Sequence, residues 1–233
     1  MSLIDNIFNG PGYSIENIQN MEVFENLRKT FIKKMGFDNN KDTINNIRQK
    51  MAKLSKVEIN KAMVNLLSFN EASEKMIQSC SNIVSELSGN EIIIQRRANT
   101  IFNVPGKDER RQWPHYELMS GISPFTFVIW APFHDLDDDG GVYYVKQDES
   151  FDIIKKEEAQ GLVNGPEILN MMNDQKPLKL KYGQVVVFNP FILHGNVEFN
   201  SSMARIACSV RFQNKNEPLM QKNSDFFKLY KIN

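Results

Sequence analysis

Met203-Ala204-Arg205-Ile206-Ala207-Cys208-Ser209-Val210-Arg211-Phe212 alternates in character: Ile206, Cys208, Val210 and Phe212 are apolar, while the intervening positions carry Arg205, Ala207, Ser209 and Arg211. Side chains of an extended chain point to opposite faces in turn, so this spacing predicts a strand with both arginines on one face. Ala207 and Ser209 are small and leave room beside them for a ligand. A guanidinium in that setting suits bidentate recognition of a carboxylate. The other reading of the same face is an outer, solvent-facing row with the arginines in surface pairs, and it stays open for Arg211 in particular.

Working outward from this strand, residues 91–99, 124–132, 141–146, 178–180 and 184–189 are further short β-rich runs, broken by Gly, Pro, Asn and Asp. Such punctuation suggests a sandwich or barrel rather than alternating βα units. Residues 149–177 form a longer polar connection with a short helix, the kind of insertion that covers a site. Before residue 90 the period changes. Ile18, Val23, Phe24, Leu27, Phe31 and Ile32 recur at helical spacing, and Lys33 and Lys34 precede Gly36 as a helix end favours. Further helices are expected over 43–54, from the Ser55-Lys56-Val57-Glu58 capping box onward, and over 70–87. The expected architecture is mainly β with α. Residues 1–90 form a helical extension packed on a β core of 91–213, and a tail of 214–233 docks on the body through Phe226 to Tyr230.

Composition narrows the function. The 233 residues suffice for one β core with a helical annex, and the 28 basic and 28 acidic residues cancel. With no basic stripe, nucleic acid is not an expected partner. The two cysteines, Cys80 and Cys208, lie far apart and outside any C-x-x-C spacing, which argues against a disulfide framework or structural zinc and fits a reducing compartment. The opening residues lack the basic and apolar segments of a signal peptide, and no run has membrane-span length. The expectation is a cytoplasmic protein with no membrane partner. Nothing in the sequence fixes an oligomeric state.

Histidine is scarce, with only His115, His134 and His194 in the chain. In Trp113-Pro114-His115-Tyr116-Glu117 an imidazole and a carboxylate stand two apart, which on an extended segment puts both on one face. His194 follows the apolar run Val185-Val186-Val187-Phe188 and precedes Gly195-Asn196, a strand-end position from which it can supply a third ligand. Two imidazoles and one carboxylate on one side of Fe(II) leave three positions free, the open arrangement of non-haem iron oxygenases. Each element alone is common, since H-x-E pairs arise by chance and a histidine beside a strand is more often a hydrogen-bonded polar group. Arg205, eleven residues beyond His194, makes the combination more specific. His134 reads as a surface or turn residue that replaces Glu117 only if its loop folds inward. Arg96, Arg97 and Arg111 read as solvated or as contacts to a substrate carboxylate or phosphate. Residues 135–140 match the first half of a calcium loop, but position twelve is Lys146 where a bidentate Glu is needed, so a solvated turn is the better reading.

These residues fall into three blocks that together resemble the phytanoyl-CoA dioxygenase-like group of 2-oxoglutarate- and Fe(II)-dependent dioxygenases, particularly members found with bacterial carbohydrate and aminoglycoside biosynthesis genes. The first block runs from Gln112-Trp113-Pro114-His115-Tyr116-Glu117 through Ser123-Pro124 to Trp130-Ala131-Pro132. The second is Asp139-Gly140-Gly141-Val142-Tyr143, and the third joins Gly183 to Phe188 with His194-Gly195-Asn196 and Arg205. The resemblance covers about half the chain and implies a double-stranded β-helix, a jelly roll of cupin-like form. It implies iron ligation by His115, Glu117 and His194, and a 2-oxoglutarate carboxylate held by Arg205, with Trp130 and Asn196 lining the co-substrate pocket and Arg211 a further candidate contact. The implied reaction consumes O2 and 2-oxoglutarate, releases succinate and CO2, and hydroxylates a small polar metabolite such as a sugar or nucleotide-sugar. Glu117 departs from the usual Asp of the group by one methylene. Two other readings of the scaffold stay open: a cupin-type sugar isomerase or epimerase, and a ligand-binding jelly roll without catalysis.

Overall fold

The computed structural model describes residues 1–104, 114–137, 142–160, 168, 175–196, 201–220 and 225–232, without the side chains of 157, 158 and 160. In chain order its helices are α1 (Leu3–Phe8), α2 (Met21–Lys34), α3 (Ile44–Ala52), α4 (Lys56–Leu67), α5 (Ala72–Ser79), α6 (Ser81–Ser88) and α7 (Gln147–Gln160). The strands are β1 (Tyr13–Asn17), β2 (Glu91–Gln95), β3 (Asn99–Asn103), β4 (Phe127–Pro132), β5 (Tyr143–Tyr144), β6 (Gln184–Phe188), β7 (His194–Gly195), β8 (Arg205–Asn214) and β9 (Phe227–Lys231).

The alternating run quoted above becomes β8, the spine of a large antiparallel sheet with the order β1-β6-β4-β8-β2-β9. One edge of β8 pairs with β4, in the register Phe127↔Phe212 to Pro132↔Ala207. Its other edge is shared between β3, from Asn99↔Ser209 to Asn103↔Arg205, and β2, from Ile92↔Asn214 to Ile94↔Phe212. A second sheet, β5 with β7, aligns Tyr143↔Gly195 and Tyr144↔His194. The fold is thus mixed α/β around a large antiparallel sheet.

Period two decides what each face of β8 meets. Ile206, Cys208, Val210 and Phe212 join one apolar cluster with Phe24, Leu27 and Phe31 of α2 and Met76 and Ile77 of α5. Ala207 lies on the opposite face, in a cluster with Trp130, Tyr144, Val186 and Phe188. Both faces are therefore covered, which is why Val185 to Phe188 reads as a continuous apolar run: a strand buried on both sides has no polar face to show.

The helices start and stop where local chemistry allows. Asn20 caps α2 by accepting from the Val23 amide, and Gly36 (φ 89°) ends it while the Phe37 amide donates to the Ile32 carbonyl. The capping box forms at Ser55, whose side chain accepts from the Glu58 amide while Glu58 accepts from the Ser55 amide. Other expectations are corrected. The helical reading of the first ninety residues misses β1, which pairs with β6 over Tyr13↔Phe188 to Asn17↔Gln184. The helix expected over 70–87 breaks at Cys80 into α5 and α6. Residues 91–99 hold parts of two strands, and 178–180 contributes only the isolated bridge Leu136↔Leu180. The tail enters the sheet as β9, paired with β2. No described helix is long and apolar enough to cross a membrane.

Gly12, just before β1, shows how tightly the first strand is seated. Its φ is +83°, and a Cβ there would come within 2.3 Å of Ile192 Cδ1 and 3.0 Å of Gln147 Cβ. Gly12→Ala is expected to destabilise the fold by about 1–3 kcal/mol through left-handed strain and overpacking, read as a lower denaturant midpoint at unchanged slope.

Candidate metal centre

His115 and His194 are joined first by backbone. The amide of each donates to the carbonyl of the other, both at 2.9 Å, and this two-way pair sets the ring centroids 4.4 Å apart. The chain stays extended through Tyr116 and then turns, so Glu117 opens a short 3-10 helix, Glu117–Ser120, with its amide donating to the Pro190 carbonyl at 3.1 Å. H-x-E is therefore not carried on one uninterrupted strand. The outcome still brings one ligand atom each from His115, Glu117 and His194 within 4.8 Å of one another, as a group able to hold a metal ion.

His194 is prepared for that role. Its Nδ1 lies 2.9 Å from the Ile192 carbonyl, and since a carbonyl only accepts, Nδ1 carries the proton. Nε2 then keeps a lone pair, 3.7 Å from Glu117 Oε1. Burial, and next the neighbouring His115, hold the His194 imidazole well below the usual histidine range, so the ring is neutral as a ligand must be. Tyr144 stacks on it at 5.5 Å and Phe188 packs at 4.7 Å, fixing its plane.

Arg211 meets the other end of Glu117. Its Nε donates to Glu117 Oε2 at 2.7 Å, and Nη2 donates to the same oxygen. Gln95 Oε1 in turn accepts from the Arg211 amide and from Nη1, each at 3.3 Å. The solvent-facing reading of Arg211 is corrected by this geometry: the residue is buried, because β8 is covered on both faces. Its guanidinium is engaged by Glu117 and Gln95.

Arg205 lies at the far end of β8, only 1% exposed, and its Nη2 donates to Asn103 Oδ1 at 2.9 Å across the β3 pairing. Burial lowers its pKa to about 10, which leaves it a cation at neutral pH. Trp130 sits opposite Ser209 on β4, and Asn196 is buried just after β7. Tyr144 contributes a buried hydroxyl with no hydrogen-bond partner among the described residues, and burial raises its pKa, so it keeps its proton as a donor. Gln95, Asn103 and Tyr144 are functional candidates that the sequence reading missed. Their signal was a polar group on a strand buried on both faces, where such a group needs a partner.

The other sequence candidates fall elsewhere. His134, expected at the surface or in a turn, lies on a bend but is buried: Nδ1 donates to the Asp135 carbonyl at 2.6 Å, and Nε2 accepts from the Ile206 amide at 3.4 Å. It is outside the three-residue group. Arg96 pairs with Asp225 at the surface, and Arg97 is exposed. Asp135 accepts from the Tyr182 amide, while residues 138–140 of the calcium-like run lie outside the described residues, as do Arg111, Gln112, Trp113 and Gly141.

No family model matches the chain, and no curated protein matches it by sequence. Its structural neighbours include non-haem, alpha-ketoglutarate-dependent enzymes of nogalamycin biosynthesis. A non-haem monooxygenase, ThoJ in its nickel complex, superimposes with a TM-score of 0.59 at 12% identity, over 100% of this chain and 84% of the other. HygX from Streptomyces hygroscopicus, with nickel and 2-oxoglutarate bound, gives 0.54 at 10% identity over 90% of this chain and 85% of its own. SnoK, an alpha-ketoglutarate-dependent carbocyclase of nogalamycin biosynthesis, gives 0.52 at 13% identity over 99% and 96%. At such identities the likeness establishes the fold, and function must be argued from the site.

The buried neutral histidines leave a mark on stability. Burial, followed by the Arg48 charge, lowers the pKa of His134 from 6.5 to about 4. Above 6.5 neither the folded nor the unfolded form is protonated there, and below it only the unfolded chain gains the proton. His134 is thus expected to remove stability as pH falls from 6.5 to about 4, by about 1.4 kcal/mol per pH unit. Urea unfolding across that window should show a shallower pH slope for His134→Gln than for the wild type.

Proposed function

We propose that this chain is an Fe(II)- and 2-oxoglutarate-dependent oxygenase on a double-stranded β-helix, acting on a small polar metabolite such as a sugar or nucleotide-sugar in the cytoplasm. The observation that carries the proposal is the convergence of His115, Glu117 and His194 on one point, at one end of a covered β face that holds the buried cation Arg205. The donor set suits Fe(II): two imidazoles and one carboxylate leave three positions open. The structures of HygX with iron bound, and with nickel and 2-oxoglutarate bound, on a similar fold, support a metal and 2-oxoglutarate as ligands here. Residues 91–213 supply the whole proposed centre, with 1–90 and 214–233 as its support.

In this reading His115, His194 and Glu117 hold the metal, and Arg205 pairs with the far carboxylate of 2-oxoglutarate. The bound metal, with O2 and 2-oxoglutarate, supplies the oxidising power to break a substrate C–H bond while succinate and CO2 are released. The protein's own work is orientation and exclusion of water. Asn103 fixes one arm of Arg205, and Trp130 with Val186 and Phe188 keeps the interior apolar. The Tyr144 hydroxyl, without a hydrogen-bond partner among the described residues, is a ready donor to a polar ligand in that interior. Hydroxylation is the outcome we propose. SnoN, described as an alpha-ketoglutarate-dependent epimerase, shows that a similar fold (TM-score 0.52, 13% identity, over 91% of this chain) serves another outcome, so product analysis decides between them.

His194→Ala is expected to abolish stoichiometric Fe(II) binding under anaerobic titration. Arg205→Ala should spare the metal while weakening 2-oxoglutarate by about tenfold or more, the scale of a lost charge-assisted hydrogen bond of about 1.5–3 kcal/mol. Equal 2-oxoglutarate affinity in the arginine variant would count against the assignment.

A further inference from the structure

Glu117 has two oxygens, and the structure treats them differently. Oε2 receives both Nε and Nη2 of Arg211, filling the two acceptor directions of a carboxylate oxygen, whereas Oε1 faces His194 Nε2 at 3.7 Å. Arg211 is itself immobilised by burial and by Gln95, which accepts from both its amide and its guanidinium. From this we infer that Arg211 is a positioning residue that keeps Glu117 a one-oxygen ligand. The inference rests on the metal-centre reading above and deepens it.

The chemistry gives the arrangement a purpose. A carboxylate free at both oxygens can chelate a metal and take two positions instead of one. With Oε2 withheld, His115, His194 and Glu117 would each give a bound metal one atom, which would leave room for a chelating keto acid and O2. The arrangement also accounts for the longer arm. Glu117 must touch Arg211 through one oxygen and present the other toward the imidazoles, and the extra methylene supplies that reach. An aspartate held by the same backbone would have to give up one of the two contacts.

A double-mutant cycle on the full chain tests this, with anaerobic Co(II) affinity by calorimetry as the readout. Glu117→Asp is expected to weaken Co(II) by about 10- to 100-fold, the usual range when the supporting geometry of a ligand is lost. In an Arg211→Met background the same change should cost less than about threefold, because nothing remains for the shorter arm to be torn between. A second readout follows from the position count: 2-oxoglutarate should bind the Co(II)-loaded Arg211→Met chain about tenfold more weakly, as the freed oxygen takes a position the keto acid needs. Equal losses from Glu117→Asp in both backgrounds would overturn the inference and reduce the Arg211–Glu117 pair to a structural ion pair. If Arg211→Met does not fold, judged by circular dichroism, Arg211→Lys takes its place in the cycle, with an intermediate coupling expected and strict additivity as the overturning result. Absence of Co(II) binding by the wild-type chain would instead sink the metal-centre reading, and this inference with it.

Discussion

The reciprocal backbone hydrogen bonds between His115 and His194 hold together two stretches of chain that sequence keeps far apart, and the centre depends on them. They bring two imidazoles to a ring separation that neither side chain could enforce alone. Everything around the pair serves to keep it in place. β7 is only two residues long and is held by β5. The Pro190 carbonyl takes the Glu117 amide, which fixes the turn that delivers the carboxylate to the same point.

The charges on the arginine face of β8 are costly to bury, and each has a specific partner. Desolvating an arginine or a carboxylate costs several kcal/mol unless close partners offset it. Arg211 and Glu117 offset each other, and Gln95 accepts a further bond from the guanidinium. Arg205 is buried even more deeply, and its guanidinium donates to Asn103 Oδ1 across the β3 pairing. The opposite face of the same strand carries Ile206, Cys208, Val210 and Phe212 against the helices.

The alternation in residues 203–212 made β8 legible from sequence, and the same alternation put Arg205 and Arg211 on one face. The capping box at Ser55 and the lysines before Gly36 marked helix ends through purely local chemistry. What stayed hidden depended on partners distant in the chain. β1 and β9 are five-residue strands whose identity comes from pairing with β6 and β2 rather than from their own pattern. The partner of Arg211 was illegible because period two gives a face but not what lies across it. His134 misled for the same reason, since the turn-like residues beside it say nothing of the Ile206 amide that its ring accepts.

We propose one cation between His115, Glu117 and His194, with a keto acid reaching back to Arg205. Anomalous diffraction at the iron edge, from crystals soaked anaerobically with Fe(II) and 2-oxoglutarate, tests it most directly. A single iron peak is expected, bonded to both imidazoles and to one oxygen of Glu117, with the far carboxylate of 2-oxoglutarate on Arg205. Iron bound elsewhere, or imidazoles turned away from a shared point in the crystal, would contradict it.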